Sequence, residues 1–131
     1  MTLCFKRFSR KSSYVILILR NLFFIEQAKR LVKSCNRRDA NIGFGLIDID
    51  DFKKINDLYG HPFGDCVIRE IAKIGKETLR VEDVIGRIGG EEFLCILPRI
   101  DVGQCQLIAR RFEDNVNKHT FFVRLYILLK I

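Results

Sequence analysis

The run Ile42-Gly-Phe-Gly-Leu-Ile-Asp-Ile-Asp50 is short, mostly apolar, and ends in carboxylates. This pattern predicts a central strand that carries charge to the point where it leaves the core. The segments around it alternate in period. Phe24, Ala28, Leu31, Val32 and Cys35 recur at helical spacing, with Lys29, Arg30 and Lys33 off that face. Residues 36–41 read as a loop. Asp51 to Leu58 reads as a short helix, stopped at Tyr59-Gly-His-Pro62. Phe63 to Leu79 is a second amphipathic helix with Val67, Ile68, Ile71 and Ile74 inward. Val84-Ile85 begins a strand, Gly89-Gly90 favours a tight two-residue hairpin turn, and Phe93 to Leu97 returns as a strand until Pro98. Cys105, Ile108, Ala109, Phe112 and Val116 mark a further helix, and Phe121 to Ile131 a last strand broken by Arg124. The order α-β-α-α-β-β-α-β predicts an α/β sandwich with helices on one face of its sheet.

A length of 131 residues fits one domain with a real core, and no composition shift within residues 39–120 marks a second one. Charge is placed unevenly. Residues 1–38 hold ten Lys/Arg and one acid, whereas residues 39–131 hold thirteen Lys/Arg and fifteen acids. The basic excess therefore belongs to the N-terminal segment, and the slightly acidic remainder argues against nucleic-acid binding. Five cysteines without a CxxC pair read as reduced, buried thiols in a cytoplasmic protein. Only two histidines are present, which disfavours a His/Cys zinc site. No stretch reaches the roughly 20 apolar residues of a membrane span. Tyr14-Val-Ile-Leu-Ile-Leu19 is too short for a signal peptide, lacks a small-residue cleavage site, and reads as a buried strand or helix edge.

Three polar features could carry chemistry. Asp48 and Asp50, at i and i+2, share one face of a strand and form a hard oxygen site suited to Mg²⁺. Alternatively, Asp50 or Asp51 caps the following helix. Glu91 and Glu92 follow the glycine pair either as a solvated turn or as carboxylates delivered to a metal beside Asp48. In the second case the glycines let the backbone approach a phosphate. Lys53, Asn56 and Asp65 are either ordinary surface groups or contacts for a phosphate and a base edge.

The strings Leu46-Ile-Asp-Ile-Asp-Asp-Phe-Lys-Lys-Ile-Asn-Asp57, Tyr59-Gly-His-Pro-Phe-Gly-Asp65 and Arg87-Ile-Gly-Gly-Glu-Glu-Phe93 together resemble the GGDEF-domain diguanylate cyclases in order and spacing. The resemblance covers about residues 19–117. It implies a palm like that of nucleotidyl cyclases: a central sheet with the GGEEF hairpin and flanking helices. It implies a nucleotidyltransferase of bacterial second-messenger signalling. Two GTP are condensed into cyclic di-GMP, with pyrophosphate released, by a homodimer using Mg²⁺ or Mn²⁺. Position by position, Asp48 and Glu91 match the family's metal carboxylates, and Ile49 a metal-binding carbonyl. Asn56 and Asp65 match its guanine readers, Phe52 and Lys53 its triphosphate contacts, and Gly89 and Gly90 the turn beneath the phosphates. Glu92 matches the family's second acid, placed near the hydroxyl. Arg80-Val-Glu-Asp83 matches an RxxD product-inhibition motif, joined by Arg111. As an isolated string, RxxD is equally a helix-end salt bridge.

The departures lie at the ends. The family's opening Asp-x-Leu-Thr-Gly-Leu-x-Asn-Arg keeps here only Leu19 and Asn21. The expected division is a basic and apolar lead (1–18), a partial catalytic domain (19–117), and a divergent apolar tail (118–131). On this reading the family's C-terminal strands, helices and Lys/Arg pair are missing, which would leave an open apolar sheet edge.

Overall fold

The computed structural model describes residues 3–8, 22–119 and 123–130. In chain order the elements are β1 (Leu3–Phe8), α1 (Leu22–Arg37), β2 (Ile42–Ile49), α2 (Phe52–Tyr59), α3 (His61–Thr78), β3 (Val84–Arg87), β4 (Glu92–Pro98), α4 (Val102–Val116) and β5 (Val123–Lys130). From α1 onward this is the order expected from periodicity. The short strand β1 was not expected, and Tyr14–Leu19 lies outside the described residues.

The sheet runs β1-β5-β2-β4-β3, so the acidic-ended strand is its centre. β2 pairs antiparallel with β4 from Ile42↔Pro98 to Asp48↔Glu92. On its other side β2 pairs antiparallel with β5, from Ile42↔Lys130 to Ile49↔Val123. β5 runs through Arg124 without a break, and β1 lies parallel against its outer side. Beyond β2 the sheet therefore continues through β5 to β1 at its edge.

Helices cover both faces of the sheet, not one. Ile47, Ile49, Phe93, Cys95 and Leu97 pack with α3 and α4 through Val67, Ile71, Ile74, Ile108, Phe112 and Val116. The alternate residues Ile42, Leu94 and Ile96 pack with Phe24, Ala28 and Cys35 of α1. The reason stands in β4 itself. Phe93-Leu-Cys-Ile-Leu97 has no polar alternate, and every one of these side chains is buried, so each face needs a cover. Burying an aliphatic side chain as fully as Ile71 or Ile96 stabilises the fold by about 1.5–3 kcal/mol.

The corner between α2 and α3 is tighter than expected. Gly60 takes φ 85°, a conformation that favours glycine, and α3 starts at the next residue. Pro62 lies in the first turn of α3 and does not act as a stop, because its missing N–H would have had no helical partner there. The α4 start carries a capping box: Gln104 N donates to Asp101 Oδ1 at 2.8 Å, and Asp101 N donates to Gln104 Oε1 at 3.0 Å.

Candidate active site

The β3–β4 hairpin is wider than a two-residue turn. Arg87 pairs with Phe93, and the Ile88 amide donates to the Glu92 carbonyl at 2.9 Å. Among the described residues Gly60 is the one glycine with positive φ, so Gly89 and Gly90 are not there for a left-handed backbone. A Cβ on Gly90 would meet nothing within 4 Å, leaving its exposed backbone open to an incoming group. Arg87 fastens the loop from within. Its Nε donates to Gly89 O at 3.1 Å, and its Nη2 donates to Gly90 O at 2.7 Å.

Pairing to β2 places this loop against Asp48. Asp48 lies opposite Glu92 in the ladder, and the Ile49 amide donates to the Glu91 carbonyl at 3.2 Å. Burial, then the charges of Asp48 and Glu92, hold the Glu91 carboxyl above the usual carboxylate range. Asp48 Oδ1 is buried without a hydrogen-bond partner. A lone acceptor inside a concentration of negative charge fits a hard cation, so this set suits a divalent metal. Among the described residues no three His, Cys, Asp or Glu side chains form a metal site by themselves. The expected Asp48–Asp50 pair is not built by strand alternation, because β2 ends at Ile49 and Asp51 turns to φ 53°. Nor does Asp51 cap α2 with its side chain, although it stands at the N-cap position.

The second orphan is Asn56 Oδ1, also buried without a partner. A side chain at position 64 would collide with this oxygen, so Gly64 is the space Asn56 occupies. Asn56 is thereby brought beside the residue preceding the exposed Asp65. Phe52 packs against the main core, and the side chain of Lys53 is exposed. The first helical bond of α2 runs from Ile55 N to Asp51 O at 3.1 Å, so the amides before it have no acceptor within the helix and suit an anion.

Arg80 and Asp83 grip each other. Arg80 Nη2 donates to Asp83 Oδ1 at 2.8 Å, its backbone amide donates to Asp83 Oδ2 at 2.8 Å, and Nη2 also donates to Pro98 O at 2.8 Å. The Asp83 side chain is 0% exposed. Arg111 stands exposed on α4, and no hydrogen bond or ion pair joins it to this pair.

A family model for "Diguanylate cyclase, GGDEF domain" matches residues 18–128. The chain belongs to the GGDEF family. The match reaches further toward the C-terminus than the three sequence strings, taking in most of β5. This GGDEF domain is 39% identical over 101 residues to the probable diguanylate cyclase DgcT of Escherichia coli, covering 77% of this chain and 22% of that protein. It is 36% identical over 102 residues to diguanylate cyclase A of Treponema denticola, covering 76% of this chain and 28% of that protein. The chain thus spans less than a third of these relatives. Among solved structures, the GGDEF domain of DgcB from Caulobacter crescentus in complex with c-di-GMP superposes with TM-score 0.76 at 25% identity, over 82% of this chain and 70% of that one. The active GGEEF domain of a Vibrio cholerae diguanylate cyclase gives TM-score 0.74 at 26% identity, over 86% and 75% of the respective chains. Among the described residues no helix is long and apolar enough to cross a membrane.

Sequence reading assigned no role to Arg87 or Gly64, though both lie inside the quoted motifs. Glycine at 64 leaves no trace in hydrophobic periodicity, and the arginine's partners are backbone carbonyls that sequence does not display.

Proposed function

We propose that this domain binds GTP with Mg²⁺, Mn²⁺ serving in its place, and that two such chains condense two GTP into cyclic di-GMP. The observation that carries this reading is the placement of orphaned acceptors. Among the described residues the buried side-chain oxygens without a partner are Asp48 Oδ1 and Asn56 Oδ1. One belongs to the carboxylate set suited to a metal, the other to a base-reading amide. An unpaired buried acceptor costs about 1–3 kcal/mol, which a ligand supplying its partner recovers.

In this reading Asp48, Glu91 and the Ile49 carbonyl hold the metal. When bound, the metal neutralises phosphate charge and favours attack of a 3′-hydroxyl on an α-phosphorus, with pyrophosphate as leaving group. Glu92 lies opposite Asp48, beside the attacking hydroxyl. The turn of Gly89 and Gly90, open at Gly90, and the first amides of α2, at Phe52 and Lys53, receive the phosphates. Asn56 and Asp65 read guanine. The Asp65 carboxylate accepts from N1–H and the 2-amino group, which adenine lacks. Each chain binds one GTP, so bond formation needs a second copy facing it.

A second reading is nucleotide binding without turnover, as a product-binding module. The likeness to a GGDEF domain solved with c-di-GMP favours it, with Arg80, Asp83 and Arg111 as the grip. Calorimetry with Mg–GTP, Mg–ATP and cyclic di-GMP, beside a pyrophosphate-release assay, decides between them. Turnover by wild type that is lost in Asp48→Asn supports the cyclase. Cyclic di-GMP binding without pyrophosphate release supports the module. Equal affinity for GTP and ATP overturns the guanine assignment.

A further inference from the structure

The C-terminal half of α1 carries an open groove of about 320 Å³ lined by Arg30, Lys33, Ser34, Arg37 and Arg38. Arg30, Lys33, Ser34 and Arg37 fall at i, i+3, i+4 and i+7, one face of the helix. All four cations are exposed, and none is in an ion pair with a described carboxylate. By contrast, their neighbour Lys29 is paired with Glu26 at 3.7 Å. Four unneutralised cations around a hydroxyl offer a phosphate charge and a hydrogen-bond donor together.

We propose that this face of α1 seats the domain on an anionic phospholipid surface. The opposite face of α1 is committed to the sheet through Phe24, Ala28 and Cys35, so the helix adsorbs by charge and does not insert. The same chain segment supplies more charge, since residues 1–38 hold ten Lys/Arg and one acid. The large exposed apolar side chains of the described residues all lie on other elements, which leaves no stacking platform for bases on this face. The placement also keeps the nucleotide site free. The C-terminal end of the groove lies at the end of the sheet where β2 begins, roughly 20 Å along that strand from Asp48. Asn56 and Asp65 belong to helices on the other face of the sheet.

The test is flotation of the full chain with phosphatidylcholine vesicles, with and without about one-third phosphatidylglycerol, at low and high salt. A triple variant Arg30→Gln/Lys33→Gln/Arg37→Gln, whose folding is checked by its melting curve, is run beside wild type. Each Lys or Arg near such a surface contributes on the order of 1 kcal/mol, so the variant should partition at least tenfold more weakly. Wild-type binding should require the anionic lipid and be reversed by salt. Equal partitioning of variant and wild type would overturn the assignment to α1. So would equal binding to neutral and anionic vesicles. Binding to a single-stranded oligonucleotide without vesicle binding would replace the lipid with a nucleic acid.

Discussion

The side-chain oxygen of Asn56 fills the space that a Cβ at position 64 would need, with Phe52 Cζ 3.2 Å from the same point. Gly64 is buried in the first turn of α3, and its bareness lets α2 and α3 close around an amide that has no partner of its own. Asn56, the proposed guanine reader, is thus held by a packing relationship and not by a hydrogen bond.

Gly64→Ala should therefore weaken Mg–GTP binding by roughly tenfold or more while changing stability little. Helix propensity gains up to about 1 kcal/mol from this change, and displacing Asn56 opposes it. Competition between GTP and ATP checks the idea, since the variant should lose base selectivity along with affinity. Unchanged selectivity would remove Asn56 from the guanine site.

Glu91 predicts a pH dependence. Its carboxyl titrates above the ordinary 4.5 because burial and the neighbouring carboxylates disfavour its charge. The folded state thus binds its proton more tightly than the unfolded state. Its stabilising contribution is present below the unfolded value and is lost as pH rises through the folded value. Without metal, Glu91→Gln should raise the melting temperature at pH 7 and make much less difference at pH 4. With metal, wild-type Mg–GTP affinity should rise with pH through the Glu91 titration. The same melting difference at both pH values would show that neither burial nor the neighbouring carboxylates raise Glu91.

Arg87→Ala should free the hairpin without unfolding the domain. The arginine is exposed, so little packing is lost, but the carbonyls of Gly89 and Gly90 lose their donor. Amide exchange at residues 89–91 should speed up while exchange in β2 stays unchanged. Mg–GTP affinity should fall several-fold, with Arg87→Lys partly restoring it. Wild-type exchange in the variant would mean that the loop is held by its strands alone.

Asp83→Ala should cost about 2–4 kcal/mol of stability, because it strips partners from both the guanidinium and the backbone amide of Arg80. Arg80→Ala also leaves a buried carboxylate behind. Urea denaturation of both variants measures this. A loss below about 0.5 kcal/mol in each would reduce the pair to an ordinary surface ion pair.

Cys66 is exposed, whereas Cys35, Cys95 and Cys105 are buried. Burial pushes the Cys95 thiol up to about 12 and the Cys105 thiol up to about 11. Among these four, iodoacetamide should modify Cys66 first. Since Cys66 follows Asp65, Mg–GTP should slow that modification if Asp65 meets the base. Peptide mapping with and without nucleotide reads the outcome, and unaltered labelling would place the ligand elsewhere.

The sequence by itself determined the element order from α1 onward, the central place of Ile42–Ile49, and the candidate residues of the motif strings. These follow from local periodicity and from spacing that the chain displays directly. Which faces are covered was also legible in the uninterrupted apolar run of β4, although the alternation of elements pointed to one face. Tertiary structure alone decided the rest. Asp48 meets Glu91 and Glu92 through pairing of β2 with β4, a contact between segments more than 40 residues apart. The Asp48–Asp50 relation was a local inference, and it ended where the chain left the ladder at Ile49. The two orphaned oxygens, the carbonyl clamp of Arg87 and the unpaired cations of α1 are likewise invisible in a linear chain. Hydrogen-bond satisfaction depends on what every neighbouring segment brings, and only the folded arrangement fixes that.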